Sequence, residues 1–243
     1  MIRKSKRYLS AMIIGVMVIS NMLGAISVSA ETSDIKVTAI EKVNTDYEIY
    51  PSPQSVEYEE GSFNFGSDVN VVYEKGIDNY TKSRLEDEIL KAHSISYEVS
   101  DSNQIINGKT NILVGVYGSG EAVDRYAEKY TLLTENLFSK TDSYFLVSDN
   151  NVITVLGKDT DSAFYGLTTL YHIFNQVTDN EIRNFKIEDY ANVVTRGFIE
   201  GYYGNPWSVQ DRADLMTYGG YYKLNAYFYA PKDDPKQDRK SVV

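Results

Sequence analysis

The sequence predicts an α/β protein in two parts: a mixed α and β domain over residues 47–190, then a β-α-β unit with parallel strands over residues 191–243. Three observations carry that prediction. Short runs rich in β-branched and aromatic residues alternate with longer helical patterns between Tyr47 and Tyr190, which suits a sheet with helices packed on it rather than a bundle or a sandwich. Ala163, Leu167, Leu170 and Phe174 recur at helical spacing and form one apolar stripe, the kind that packs on a sheet. Near Asn192 the pattern changes to a strand, a capped helix and a second strand, a connection whose strands lie parallel.

In chain order, residues 1–30 are read as a signal peptide. Arg3, Lys4, Lys6 and Arg7 stand without an acid before an apolar stretch from Ala11 to Ile19, and Val28-Ser29-Ala30 places small residues before a cleavage point at Glu31. A membrane anchor needs about 20 consecutive apolar residues; here Ser20 and Asn21 interrupt a shorter run. The expected location is therefore secreted, with no membrane contact after cleavage. Residues 31–46 are polar and lack a period, so they are read as a flexible leader, with order beginning near Tyr47.

The composition excludes several classes of function. The formal charge is −10, and the predicted signal peptide carries four of the basic residues, so the mature chain is more acidic still. Such a chain repels phosphate backbones and anionic lipid heads, which argues against nucleic acid or membrane surfaces as partners. There is no cysteine, which removes disulfides, thiolate nucleophiles and zinc-thiolate sites. The two histidines, His93 and His172, are too few and too far apart for a histidine-rich metal site. No metal and no cofactor are expected.

Strands are predicted at Ser62–Phe65, Val69–Tyr73, Ile95–Val99, Asn111–Tyr117, Tyr144–Ser148 and Val152–Leu156, the last two joined by the turn residues Asp149-Asn150-Asn151. Helices are predicted at Thr81–His93, Ala122–Tyr130 and Ser162–Gln176. His172 falls opposite the apolar stripe and is read as a solvated surface residue. Gly115, Gly118 and Gly120 lie between a strand and a helix, but their spacing departs from G-x-G-x-x-G and no P-loop lysine follows, so they are read as a plain strand-to-helix turn. Beyond Tyr190, Val193–Ile199 reads as a buried strand, Ser208–Tyr222 as a helix opened by a Ser208/Asp211 capping box, and Asn225–Ala230 as the second strand.

The candidate site lies where those two strands end. Ligands of α/β folds bind beyond the carboxyl ends of parallel strands, which is where Gly201, Tyr202 and Tyr203 fall. A glycine lets a ligand reach the backbone, and tyrosines offer ring faces and hydroxyls, a surface that suits a sugar. Glycines and aromatics at strand ends serve equally as turn and packing residues. The second strand runs into Lys232, Asp233 and Asp234, which adds an ammonium and two carboxylates to the same rim.

The stretch R-G-F-I-E-G-Y-Y-G-N-P-W-S from Arg196, with Y-G-G-Y-Y-K-L-N-A-Y-F-Y-A-P-K-D-D-P after it, resembles glycoside hydrolase family 84, the exported β-N-acetylglucosaminidases and hyaluronidase-like enzymes. Upstream, Tyr50-Pro51-Ser52-Pro53-Gln54 and the run around Phe164–Leu170 resemble the hexosaminidase-type domain that precedes the catalytic barrel in that family. The resemblance implies that residues 191–243 are the truncated start of a (β/α)8 TIM barrel. It also implies retaining removal of N-acetylglucosamine from glycans, with the substrate's own 2-acetamido group as nucleophile.

By the same resemblance, Gly201 matches the glycine whose backbone contacts the sugar, Tyr202 and Tyr203 line that pocket, and Lys232 binds a sugar hydroxyl. Asp233 and Asp234 match a structural pair beside the site. The catalytic aspartate pair belongs after a later strand, so no catalytic residue is expected in this chain, and the polar run Lys236–Val243 marks its departure from the family pattern. On these residues the chain alone is expected to be inactive. The alternative reading is an exported non-catalytic module that binds glycans or another protein.

Overall fold

The computed structural model describes residues 46–66, 68–100, 104–201 and 207–229. The main sheet has seven strands: β1 (Ser55–Asn64), β2 (Asp68–Tyr73), β3 (Ser96–Val99), β4 (Thr110–Val116), β5 (Thr141–Asp149), β6 (Val152–Gly157) and β7 (Glu181–Ala191). Their order is β1-β7-β5-β6-β4-β2-β3. Strands β3, β2, β4 and β6 run parallel. Strands β5, β7 and β1 complete the sheet in antiparallel pairs.

Parallel central strands are covered on both faces and read as continuous apolar runs. Strand β4 shows this: Ile112 and Val114 face the core beneath the long helix, whereas Leu113 faces the second core with Val123 and Ala127. On the first face lie α1 (Asn79–Leu85), which continues into a π-helical turn over Glu86–Lys91, and α3 (Thr160–Phe174). On the second lie α2 (Ala122–Ala127) and a 3-10 turn at Leu137–Ser139. The predicted stripe holds, since Ala163, Leu167, Leu170 and Phe174 are all buried in the first core. Asp159 caps α3 by accepting from Ser162 N at 2.8 Å.

The hairpin between β5 and β6 turns on Asn150 and Asn151, both with positive φ (48° and 65°), the twist that a two-residue hairpin requires and that asparagine tolerates. Gly115, Gly118 and Gly120 form a strand-to-helix turn from β4 to α2, as expected. The buried Glu74 accepts there from Val116 N (2.8 Å), Ser119 Oγ (3.0 Å) and Asp124 N (2.8 Å). A carboxylate thus holds N–H groups that a nucleotide loop would offer to phosphate.

Several expectations need correction. Strand β1 begins at Ser55 rather than Ser62, and β7 was not anticipated. The first helix starts at Asn79, where Asp78 caps it by accepting from Thr81 N at 2.7 Å, and α2 ends at Ala127, short of Tyr130. The helix α4 (Val209–Gly220) pairs with β8 (Gly197–Glu200) and β9 (Ala226–Tyr229) in the predicted parallel β-α-β unit. Its Ser208/Asp211 capping box is present. The strand predicted as buried over Val193–Ile199 is instead four residues long, and Val193, Val194 and Ile199 are 62%, 69% and 62% exposed. Among the described residues β8 pairs only with β9, so apolar side chains away from α4 meet no second layer.

Candidate functional site

Strand β8 carries the chain from the main sheet to the predicted site, and two polar networks fix it. At its start, Arg196 donates from Nε to Lys223 O at 3.0 Å and from Nη1 to Val193 O at 2.8 Å, and its Nη2 pairs with Asp142 at 2.7 Å. Asn225 returns the tie by accepting from Arg196 N at 2.8 Å. Gly197 follows because nothing larger fits: an added Cβ would lie 1.8 Å from Ala226 O on β9.

Lys223 stands at the left-handed position after α4 (φ 58°). Lys223 N donates to Gly220 O and Leu224 N to Gly219 O, a Schellman ending in which glycine is usual. Its side chain explains the exception. The buried ammonium donates to Tyr144 OH and to Asp189 Oδ2, each at 2.8 Å. Asp189 Oδ1 also accepts from Gln54 N and Tyr190 N. Burial pushes the lysine below its ordinary pKa and the aspartate opposes that shift.

His172 belongs to the same seam. It is not a solvated surface residue, as the sequence suggested, but half-buried. Its Nδ1 accepts from Tyr50 N at 3.1 Å while Nε2 donates to Tyr221 O at 2.8 Å. Both nitrogens are used by one neutral tautomer, and burial holds the ring below its usual pKa, with Lys223 and Arg84 pushing the same way. The helical wheel places His172 off the apolar stripe, but it cannot show that the turn after α4 covers that face.

At the far end, β8 closes on Glu200, which is 3% exposed. Its Oε1 accepts from Trp207 N at 3.0 Å and Arg212 Nη2 at 2.9 Å; its Oε2 accepts from Arg212 Nε at 2.7 Å and from the Tyr227 hydroxyl. The Arg212 hydrogen bonds, foremost, pull its pKa down to about 2. The carboxylate is therefore ionised at any physiological pH and every lone-pair direction is taken. Glu200 orients its neighbours and has nothing left for proton transfer. It was not singled out from sequence; a Glu preceding a glycine turn with an Arg in the next helix was the available signal.

Gly201 follows, exposed, and a Cβ placed there would meet nothing within 4 Å among the described residues. The glycine predicted to meet a sugar thus stands at an open strand end. Tyr202, Tyr203, Lys232, Asp233 and Asp234 lie outside the described residues. Among the described residues no cluster of histidine, aspartate and glutamate has the makings of a metal site.

A seven-stranded α/β domain leading through a polar seam into a parallel β-α-β unit defines the hexosaminidase-type class of architecture. Residues 46–190 match the family described as glycosyl hydrolase family 20, domain 2, and the chain belongs to that family. Residues 196–241 match the family described as beta-N-acetylglucosaminidase. The solved structure of CpGH84D shares 49% identity with a TM-score of 0.74, covering 78% of this chain and 31% of that one.

A glycoside hydrolase family 20 exo β-N-acetylglucosaminidase from Vibrio harveyi, solved with N-acetylglucosamine, has a TM-score of 0.53 at 18% identity over 74% of this chain and 25% of that one; it shares the fold. Protein O-GlcNAcase of Rattus norvegicus is 48% identical over 40 residues, 16% of this chain and 4% of that protein. The chain therefore spans a small part of the length of these proteins. It is a relative of the family 84 and family 20 N-acetylglucosaminidases, as the motifs implied.

Proposed function

We propose that this chain supplies the accessory domain and the opening β-α-β of the catalytic barrel of an exported glycosidase that removes β-linked N-acetylglucosamine. Its substrates are glycans or glycoproteins, with hyaluronan as the variant within the same class. The observation that supports the reading best is the exposed Gly201 at the carboxyl end of β8, inside the stretch that matches the beta-N-acetylglucosaminidase family. In this reading the Gly201 backbone, Tyr202, Tyr203 and Lys232 bind the sugar, and Asp233 and Asp234 support the lysine. The acetamido oxygen of the substrate attacks the anomeric carbon with retention, and residues outside 1–243 orient it and move the proton. Glu200 takes no part in proton transfer, because its carboxylate is committed to four donors.

The test is a chromogenic β-N-acetylglucosaminide assay on residues 31–243 and on the same segment with any continuation its gene encodes. Turnover by the continued form alone, reduced by Lys232→Ala, is the expected result. An inert continued form, or no continuation together with glycan binding by residues 31–243, replaces the enzyme with a binding module.

A further inference from the structure

We infer that Glu200 is the positioning residue of the sugar site: without touching the sugar, its carboxylate sets where the Gly201 backbone stands. The inference rests on the sugar-site reading proposed above and adds to it a residue that reading does not contain. A carboxylate offers about four acceptor directions, and here all four are filled, so Glu200 can neither bind a substrate hydroxyl nor carry a proton. What it can do is fix geometry. Its donors come from three places: Trp207 N at the entry to α4, the Arg212 guanidinium within α4, and the Tyr227 hydroxyl in β9.

Two features show that the arrangement is built for position. Glu200 and Trp207 are seven residues apart, so the chain segment that follows β8 begins and ends at a single carboxylate. Arg212 Nε also lies 3.1 Å from the Tyr227 hydroxyl, and its guanidinium sits 4.5 Å over the Tyr229 ring, so the cation is held against β9 as well as against Glu200 of β8. The ends of β8 and β9 therefore move as one body with the start of α4. Gly201 is bonded directly to the residue at its centre, and a small displacement there is a displacement of the backbone offered to the sugar. Misplacement by about 1 Å can cost up to about 100-fold in a positioned interaction.

Trp207 is the single tryptophan of the sequence and donates its backbone N–H to Glu200, so its fluorescence reads the clamp directly. Glu200→Gln and Tyr227→Phe are compared with the parent by quenching of Trp207 in the 243-residue chain. Affinity for N-acetylglucosamine is measured by calorimetry in the chain with any continuation its gene encodes. Expected are stronger quenching in both variants, a roughly tenfold or greater loss of affinity in Glu200→Gln and about threefold in Tyr227→Phe. Tyr227→Phe keeps the ion pair and covers the case in which Glu200→Gln fails to fold. Parental affinity in a folded variant overturns the inference alone. A parent that binds no N-acetylglucosamine overturns the sugar-site reading, and the inference falls with it.

Discussion

Replacing Lys223 separates two opposed contributions that the structure places on one residue. The ammonium is buried and makes 2.8 Å contacts to Asp189 and Tyr144, and removing one partner of a buried pair costs about 3–5 kcal/mol. Asp189 would keep Gln54 N, Tyr190 N and the Tyr144 hydroxyl as donors, so the lower end, about 3 kcal/mol, applies to Lys223→Ala.

The backbone acts the other way. At φ 58° a residue with a Cβ is disfavoured by about 1–2 kcal/mol relative to glycine. Lys223→Gly should therefore destabilise less than Lys223→Ala by about 1 kcal/mol, although both remove the same pair. Because burial outweighs Asp189 in setting the lysine's pKa, Lys223→Ala in an Asp189→Asn background should recover most of the loss. Urea unfolding of the five chains supplies the numbers. A loss on Lys223→Ala that is unchanged by Asn at 189 would show that the charge pair is not its cause, and equal stability of the glycine and alanine variants would refute the backbone argument.

The remaining predictions concern the same seam and the strand beyond it. His172 has a folded pKa below its unfolded value near 6.5, so the unfolded chain binds more protons in that window. The stability it contributes is complete above about pH 6.5 and is lost as pH falls through the folded value. Protonation would also set Nδ1–H against the Tyr50 N–H it now accepts from. Unfolding temperature measured from pH 8 to 5 should fall, and His172→Gln should flatten that slope; an unflattened slope would assign it to other groups. Gly197→Ala drives a Cβ to within 1.8 Å of Ala226 O, so hydrogen exchange at β8 and β9 should rise to that of an unpaired segment while β4 and β6 keep their protection. Retained protection at β8 would mean that the two strands can part and still pair.

What could be read from the sequence followed periodicity. Ile112, Leu113 and Val114 need no partner to declare a strand buried on both faces, and the stripe from Ala163 to Phe174 declares its helix. Strand β7 was invisible because its charges conceal it: Lys186 answers Glu57 and Glu59 on β1, and Glu188 accepts from Leu133 and Thr134 N. Each of those partners is remote in sequence, so each charge looked like a solvated one. Glu200 was hidden for the same reason, since its meaning lies in Arg212 and Tyr227. By contrast the place of Gly201, directly after the end of β8, could be read from the β-α-β order alone.

Strand β1 pairs with β7 from Ser55 opposite Glu188 to Asn64 opposite Glu181, although the rest of the sheet lies between them in the chain. Closing a loop of that length costs entropy before any contact returns it. During synthesis, residues 55–64 must therefore wait, unpaired, until residues 181–191 have emerged. Among the described strands the first made is thus among the last to be placed, and the main sheet stays unfinished until β7 has emerged.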